Sequence, residues 1–226
     1  MKAALAEAIG TAFLLAAVVG SGIMGERLAQ GNVALALLAN SLATGFALTA
    51  LIVAFAGRSG AHFNPIVSVA FAIREGFPAQ RLAAYIVAQL IGAAVGVLAA
   101  HAMFDLPLLQ VSNAARTGVG QWVSEAVATF GLVLVVLGCG RQAPWRAPVA
   151  VGAYIAAAYW FTASTSFANP AVTLARGFTA TFSGIDPAGI PAFVAAQFLG
   201  GGLAAWTDRC LASSAAPAMD PKRGEY

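Results

Sequence analysis

The chain contains two short stretches in which Asn directly precedes Pro and a short apolar run follows. They are Asn64-Pro65 and Asn169-Pro170. Proline suits the first position of a helix, because its φ is fixed near the helical value and it has no N–H to leave unpaired. It also pushes the preceding residue out of the helical region, where an N-cap must lie. The pattern therefore predicts two helices capped by Asn64 and Asn169. Each apolar run lasts roughly ten residues, or ~15 Å of helix, which is half of a ~30 Å hydrocarbon core.

The composition indicates an integral membrane protein. Hydrophobic residues make up 60% of the 226-residue chain and charged residues 9%, whereas a soluble domain carries about 25% charge. The formal net charge of +3 does not indicate nucleic-acid binding, because the basic residues are scattered. The two cysteines, Cys139 and Cys210, form no disulfide framework, and we predict no metal site and no cofactor.

Six further apolar stretches are long enough to cross a bilayer. They lie at 4–24, 33–56, 82–104, 121–139, 147–162 and 190–211. The half-helices begin at 65 and 170, so the order is three spans with one half-helix, twice over. We predict an all-α membrane protein with six transmembrane helices and two re-entrant half-helices. The predicted parts are a first repeat at 1–104, a connecting loop at 105–120, a second repeat at 121–211 and a polar tail at 212–226.

Matching polar residues support a duplication. Glu7 and Glu125 lie in similar contexts, and so do Gln89 and Gln197. An odd number of spans per half forces the halves into opposite orientations, which is the inverted-repeat arrangement. A charged Glu in lipid is costly, so each Glu should face the interior and accept hydrogen bonds from re-entrant loop N–H groups. The alternative role, a proton relay, needs a chain of further ionisable groups that the sequence does not offer.

The basic residues predict the orientation. With the N-terminus inside, nine fall on the cytoplasmic side and three outside, which is the expected inside bias. The inner set is Lys2, Arg58, Arg74, Arg81, Arg141, Arg146, Arg209, Lys222 and Arg223, and the outer set is Arg27, Arg116 and Arg176. We therefore expect a multi-pass protein of the cell (inner or plasma) membrane with both termini cytoplasmic.

These residues resemble the major intrinsic protein family, the aquaporins and aquaglyceroporins, over nearly the whole chain. The resemblance is carried by Ser59-Gly60-Ala61-His62-Phe63-Asn64-Pro65, by Asn169-Pro170-Ala171, and by the repeated Glu and Gln residues. It implies a passive channel, not an enzyme, assembled as a homotetramer in lipid. It also implies that the half-helices meet at the pore centre, with the Asn64 and Asn169 amides facing the solute. The partial positive charge of each helix N-terminus disfavours cations there.

The sequence departs from the family pattern at two places. Ile66 replaces the Ala of the first motif, where we expect it to add bulk beside the central Asn pair. Val172 stands where most members have an Arg that forms the outer constriction. Arg176 follows four residues later. It either reaches the outer vestibule and replaces part of the missing charge, or it snorkels or pairs with Asp186.

The resemblance also implies the other constriction positions, which carry over to this chain by counting back from the two Asn residues. The counts give Ser166 and Ala157 in the second half and Thr44 in the first, with Phe46 selected instead by a small shift. With Val172 this set is small and uncharged, so a wide and weakly positive constriction is expected. We therefore predict passage of small uncharged polyols or metalloid hydroxides, such as glycerol or arsenous acid, together with water.

Other readings remain open at this point. A water-selective aquaporin is the nearest alternative. A secondary transporter also uses inverted repeats and broken helices, but it needs intramembrane charge for coupling, and only Glu7 and Glu125 are available. An intramembrane enzyme needs a catalytic pair or metal ligands, and none converges. His62 either lines the cytoplasmic vestibule or hydrogen-bonds loop carbonyls. Residues near span ends are assigned mainly to an aromatic belt: Trp122, Trp145, Trp160, Trp206, Tyr85 and Tyr159.

Overall fold

The computed structural model describes residues 1–142 and 144–213, so the predicted polar tail lies outside the described residues from 214 onward. All the regular secondary structure of the described residues is helical. Its helices are α1 (Lys2–Leu28), α2 (Val33–Ser59), α3 (Pro65–Glu75), α4 (Ala79–Met103), α5 (Val119–Gln142), α6 (Ala147–Phe161), α7 (Pro170–Arg176) and α8 (Ile190–Ser213). Short 3-10 turns at Pro144–Arg146 and Pro187–Gly189 precede α6 and α8.

The half-helices α3 and α7 begin where the Asn-Pro pattern predicts. The Asn64 side chain accepts a hydrogen bond from the backbone N of Ile66 at 2.9 Å. The Asn169 side chain accepts from the backbone N of Ala171 and of Val172, at 3.0 and 3.3 Å. Both residues are extended, as a cap preceding Pro must be. The prediction of two Asn-capped helices with Pro at their first position is confirmed.

The remaining helices form a membrane-spanning bundle. Within the described residues, five helices are long and apolar enough to cross a bilayer, and α6 is a shorter apolar helix of 15 residues. At ~1.5 Å per residue α6 covers about 22 Å, less than the ~30 Å hydrocarbon core. The adjoining 3-10 turn at Pro144–Arg146 extends that segment. The protein is a multi-pass membrane protein.

The two halves pack in matching ways. Helix α1 packs against α4 and α2, α5 packs against α8 and α6, and α2 meets α6 across the halves. Small residues allow the backbones to approach closely. A Cβ added at Gly92 of α4 would lie 2.2 Å from the carbonyl oxygen of Ala8, and one at Gly200 of α8 would lie 2.1 Å from that of Ala126. The half-helices fill the space between the halves, since α3 and α7 each contact both α4 and α8.

A candidate permeation site between the half-helices

Glu7 holds the loop that leads into α3. Its carboxylate, which is fully buried, accepts hydrogen bonds from the backbone N of His62 at 3.0 Å and of Phe63 at 2.7 Å. It also accepts from Ser59 Oγ at 2.6 Å and Gln89 Nε2 at 2.8 Å. These four donors stabilise a buried negative charge that would otherwise be very costly in the membrane.

Glu125 plays the same part for the loop that leads into α7. It is fully buried and accepts from the backbone N of Phe167 at 2.8 Å and of Ala168 at 2.9 Å. Gln197 Nε2 donates to the same carboxylate at 2.6 Å. Both glutamates therefore have the structural contacts expected of loop anchors.

The two loops need such anchors because their backbones are strained. Phe63 and Ala168, the residues just before each Asn, have φ of 48° and 46°. This left-handed region costs a non-glycine residue of order 1–3 kcal/mol. The strain turns the Phe63 and Ala168 carbonyl groups toward the opposite loop, where each finds a partner.

The partners are the two asparagines. Asn64 Nδ2 donates to the Ala168 carbonyl oxygen, and Asn169 Nδ2 donates to that of Phe63, both at 2.8 Å. An amide NH₂ has two hydrogens, so one hydrogen of each Asn remains after this exchange. Both residues line the cavity between the halves. The tips of α3 and α7 are thus joined reciprocally, with a donor left over on each side.

A cavity of about 310 Å³ runs past both asparagines. One end lies at His62 and Phe71, and we call it the His62 end. The other lies at Tyr159 and Arg176, and we call it the Arg176 end. A second hollow of about 390 Å³ adjoins the His62 end. The wall between the ends is largely apolar.

Matching faces of α2 and α6 form much of that wall. The residues that line it recur every four positions, as a single helical face requires. They are Thr44, Leu48 and Ile52 on α2, and Val151, Ile155 and Tyr159 on α6. At the Arg176 end the hydroxyls of Thr44 and Tyr159 lie 3.2 Å apart.

The structure corrects one predicted constriction residue. Ala157 is exposed on the outside of α6 and does not line the cavity. The residues on the inner face are Ile155 and Tyr159. Counting from Asn169 failed because two residues rotate a helix position by about 200°, onto the opposite face. Phe46, the alternative to Thr44, is 70% exposed and lies outside as well.

The other predicted residues of the second half lie at the cavity. Val172 and Ser166 are buried and line it. The Ser166 hydroxyl makes no hydrogen bond within the described residues.

The sequence led us to expect that Ile66 adds bulk beside the Asn pair, and this expectation is wrong. Its side chain packs away from the cavity with Val133, Leu137 and Ala204. A Cβ added at Gly201 of α8 would lie 2.4 Å from Ile66 Cγ2, so the missing side chain at Gly201 makes room for the larger residue.

His62 lines both the cavity and the adjoining hollow. Its Nδ1 lies 3.0 Å from Ser68 Oγ, and its ring stacks on Phe71 with centroids 4.7 Å apart. The imidazole ring thus contacts two side chains of α3, and these contacts fix its position in the cavity wall.

Two tyrosines do not belong to an aromatic belt. Tyr159 is 3% exposed and lines the cavity, and Tyr85 is 1% exposed and donates to the Ser59 carbonyl oxygen at 2.7 Å. The sequence signal for Tyr159 was available, because it continues the four-residue spacing of Val151 and Ile155.

Arg176 does not pair with Asp186. It is 2% exposed, its Nε donates to the Ser183 carbonyl oxygen, and it lines the cavity. The Asp186 carboxylate instead accepts from the backbone N of Ala188 at 2.8 Å.

Comparisons with known proteins place this geometry in a family. The model of the major intrinsic protein family matches residues 1–159. Aquaglyceroporin AqpS of Rhizobium meliloti (strain 1021) is 55% identical over 196 residues, covering 87% of this chain and 84% of that protein. Aquaporin Z of Bradyrhizobium diazoefficiens is 33% identical over 167 residues, covering 67% and 69%. The X-ray structure of the aquaglyceroporin from Plasmodium falciparum matches the fold with a TM-score of 0.72 at 20% identity, covering 94% of this chain and 97% of that one. The chain belongs to the major intrinsic protein family, whose members are channels and not enzymes.

Proposed function

We propose that this protein is a passive channel for small uncharged solutes, namely glycerol-like polyols and metalloid hydroxides such as arsenous acid, with water passing as well. One observation carries the proposal: a single cavity contains both capping asparagines and has Val172, not a charged residue, beside Asn169. The name of the 55% identical relative, an aquaglyceroporin, supports the same solute class.

The cavity fits an amphipathic solute. Asn64 and Asn169, each with one amide hydrogen left over, line it together with apolar side chains such as Leu14, Val67 and Leu132. A polyol would turn its hydroxyl oxygens to the donors and its carbon chain to the apolar wall. Pore diameter and lining donors together decide such selectivity.

The constriction is assigned to the Arg176 end. We propose that Thr44, Ser166 and Val172 form it, with Tyr159 and Ile155 on the α6 side in place of Ala157. We also propose that the His62 end is cytoplasmic, that both termini are cytoplasmic in the cell membrane, and that the protein is a homotetramer. Chemical labelling of cysteines introduced at Gln30 and Gly76, on opposite faces of the bundle, tests the orientation. The mass of the detergent-solubilised assembly tests the tetramer.

Stopped-flow flux measurements on proteoliposomes test the solute class. We expect glycerol and arsenous acid to enter faster than in protein-free vesicles, along their gradients and with the weak temperature dependence of diffusion. Fast water flux with no solute flux would identify a water-selective aquaporin. Solute flux that requires an ion gradient would identify a secondary transporter.

Substitution of Val172 tests the constriction. Val172→Arg adds both bulk and charge beside Asn169, so glycerol flux should fall several-fold while water flux falls less. Val172→Met is the matched control, because it adds length without charge. Equal glycerol flux in the Val172→Arg variant and the unsubstituted protein would contradict the assignment.

A further inference from the structure

The guanidinium of Arg176 is held in place by an aromatic ring and a backbone carbonyl group. Its carbon Cζ lies 3.4 Å from the centroid of the Phe167 ring, a close cation–π contact, and its Nε donates to Ser183. Within the described residues its two terminal nitrogens make no hydrogen bond. Because the residue lines the cavity, these unused donors belong to the cavity wall at the Arg176 end.

A second arginine lies close by, and the carboxylate that acts on both electrostatically, that of Glu125, is hydrogen-bonded to the loop and forms an ion pair with neither. Arg116, from the connecting loop, also contacts the Phe167 ring, at 5.2 Å. It donates to the carbonyl oxygens of Gly184 at 2.8 Å and Ser164 at 3.4 Å. Among the described residues, neither arginine forms an ion pair. The Arg176 end therefore carries one buried and one partly buried positive charge, neither of them in an ion pair within the described residues.

A third feature of this end is a polar group without a partner. Ser166 is 2% exposed, lines the cavity, and its Oγ makes no hydrogen bond within the described part of the chain. A buried hydroxyl in this state costs free energy unless something enters to pair with it. Solute or water oxygens in the cavity are the available partners.

We propose that Arg176 is the selectivity-determining cation of this channel. It acts from one helical turn beyond Val172, excludes cations from the Arg176 end, and donates hydrogen bonds to solute oxygens beside Ser166. The proposal rests on the proposed channel function and adds a residue to it. Val172 leaves the constriction open on its own side, while Arg176 keeps a positive charge within a few ångströms of the path.

Electrostatics gives the expected size of the effect. Two unit charges a few ångströms apart repel each other strongly, even at the effective dielectric constant of ~20 found near protein surfaces. A barrier of that size lowers the permeability to cations by a large factor. Removing the charge at Arg176 should therefore raise permeability to protons and sodium by about tenfold or more. Glycerol permeability should change less, because a neutral solute does not feel the net charge.

The test uses proteoliposomes loaded with a pH-sensitive dye, with proton entry driven by a potassium diffusion potential. Arg176→Met is expected to let protons in about tenfold faster or more than the unsubstituted protein. Arg27→Met is the matched control. Arg27 also contacts an aromatic ring, that of Phe104 at 5.1 Å, but does not line the cavity. Its loss should leave the proton leak unchanged.

Three further variants keep the test decisive. Arg176→Gln retains a donor for the Ser183 carbonyl oxygen and serves if the Met variant does not fold. Arg176→Lys keeps the charge but loses the planar fork, so it should exclude protons while altering glycerol flux. Restoring the charge one turn earlier, with Val172→Arg in the Arg176→Met background, should lower the leak again.

The outcomes separate this proposal from the proposed function. A folded Arg176→Met or Arg176→Gln variant that leaks no more protons than the unsubstituted protein would overturn the role of Arg176, whatever the glycerol flux. An unsubstituted protein that passes no glycerol or arsenous acid would overturn the solute class. A proton leak gained by Arg176→Met would still support the charge barrier in that case.

Discussion

The two re-entrant loops share their polar anchors and differ in their apolar packing. In both, a buried Glu accepts from two successive backbone N–H groups and from a Gln of the third span. The first anchor, Glu7, has one donor more, Ser59 Oγ. The second loop has Arg116 instead, which donates to Ser164 and Thr165.

The apolar contacts differ in complementary pairs. Phe63, before Asn64, occupies the space that a side chain at Gly10 would need, since a Cβ there would lie 2.0 Å from the ring. At the matching places of the second repeat stand two alanines, Ala168 and Ala128, both fully buried. Likewise Ile66 faces Gly201, and the matching residues are Ala171 and Ala93.

This comparison shows which contacts tolerate substitution. A buried N–H must have an acceptor at a fixed distance and angle, so the Glu and Gln residues recur. Apolar packing asks only that the total volume be conserved, so a large residue on one side with a glycine on the other serves as well as two alanines.

The largest effect is expected from removing an anchor. Glu7→Leu leaves four buried donors without an acceptor and should lower the free energy of unfolding by about 4 kcal/mol or more. Glu125→Leu should cost less, because three donors are lost and Arg116 still holds the second loop. Melting temperatures in detergent measure both, with Glu26→Leu, at an exposed position of α1, as the control. Equal losses would contradict the difference between the loops.

A smaller effect is expected at Gly10. Gly10→Ala forces the Phe63 ring to move and should cost about 2–3 kcal/mol. In the Phe63→Ala background, which reproduces the alanine pair of the second repeat, the same change should cost little. The coupling free energy from the double-mutant cycle measures this. Strict additivity would show that the two residues do not compensate each other.

The pair Ile66 and Gly201 should show the same behaviour more weakly. Gly201→Ala should cost about 1–2 kcal/mol, because the Ile66 side chain has some freedom to move. Ile66→Ala should relieve that cost and restore the usual motif. Gly202→Ala is the matched control in the same helix, since no atom lies within 4 Å of its added Cβ. At that position the better helix propensity of Ala should raise the free energy of unfolding by up to about 1 kcal/mol.

The smallest effect on stability, but a clear one on flux, is expected on α6. Ile155 is the middle residue of the three that line the cavity from α6, as Leu48 is on α2, whereas Ala157 faces outward. Ile155→Phe should reduce glycerol flux several-fold by narrowing the path. Ala157→Phe adds an aromatic ring on the outer face and should leave the flux as it is. A reversal of these two results would restore the sequence-based assignment of Ala157.

The sequence was sufficient to predict the positions of residues whose own chemistry strongly limits where they can lie. Proline keeps the preceding Asn extended, as an N-cap requires, and Asn64 and Asn169 do cap the two half-helices. The cost of a charge in lipid identified Glu7 and Glu125 as interior groups. The constriction was harder, because Ala157 was located by counting along a chain that leaves α6 through a loop. A shift of two residues there exchanges the inner and outer faces of a helix.

By itself, then, the amino-acid order determined the apolar spans, the two half-helices and the capping residues, since each follows from interactions between neighbours along the chain. The folded protein was needed to show that Tyr159 and Ile155 line the cavity, that Gly201 makes room for Ile66, and that Arg176 lies against Phe167 beside the path. These are contacts between distant segments, and they depend on helix rotation and side-chain volume, which no local pattern specifies.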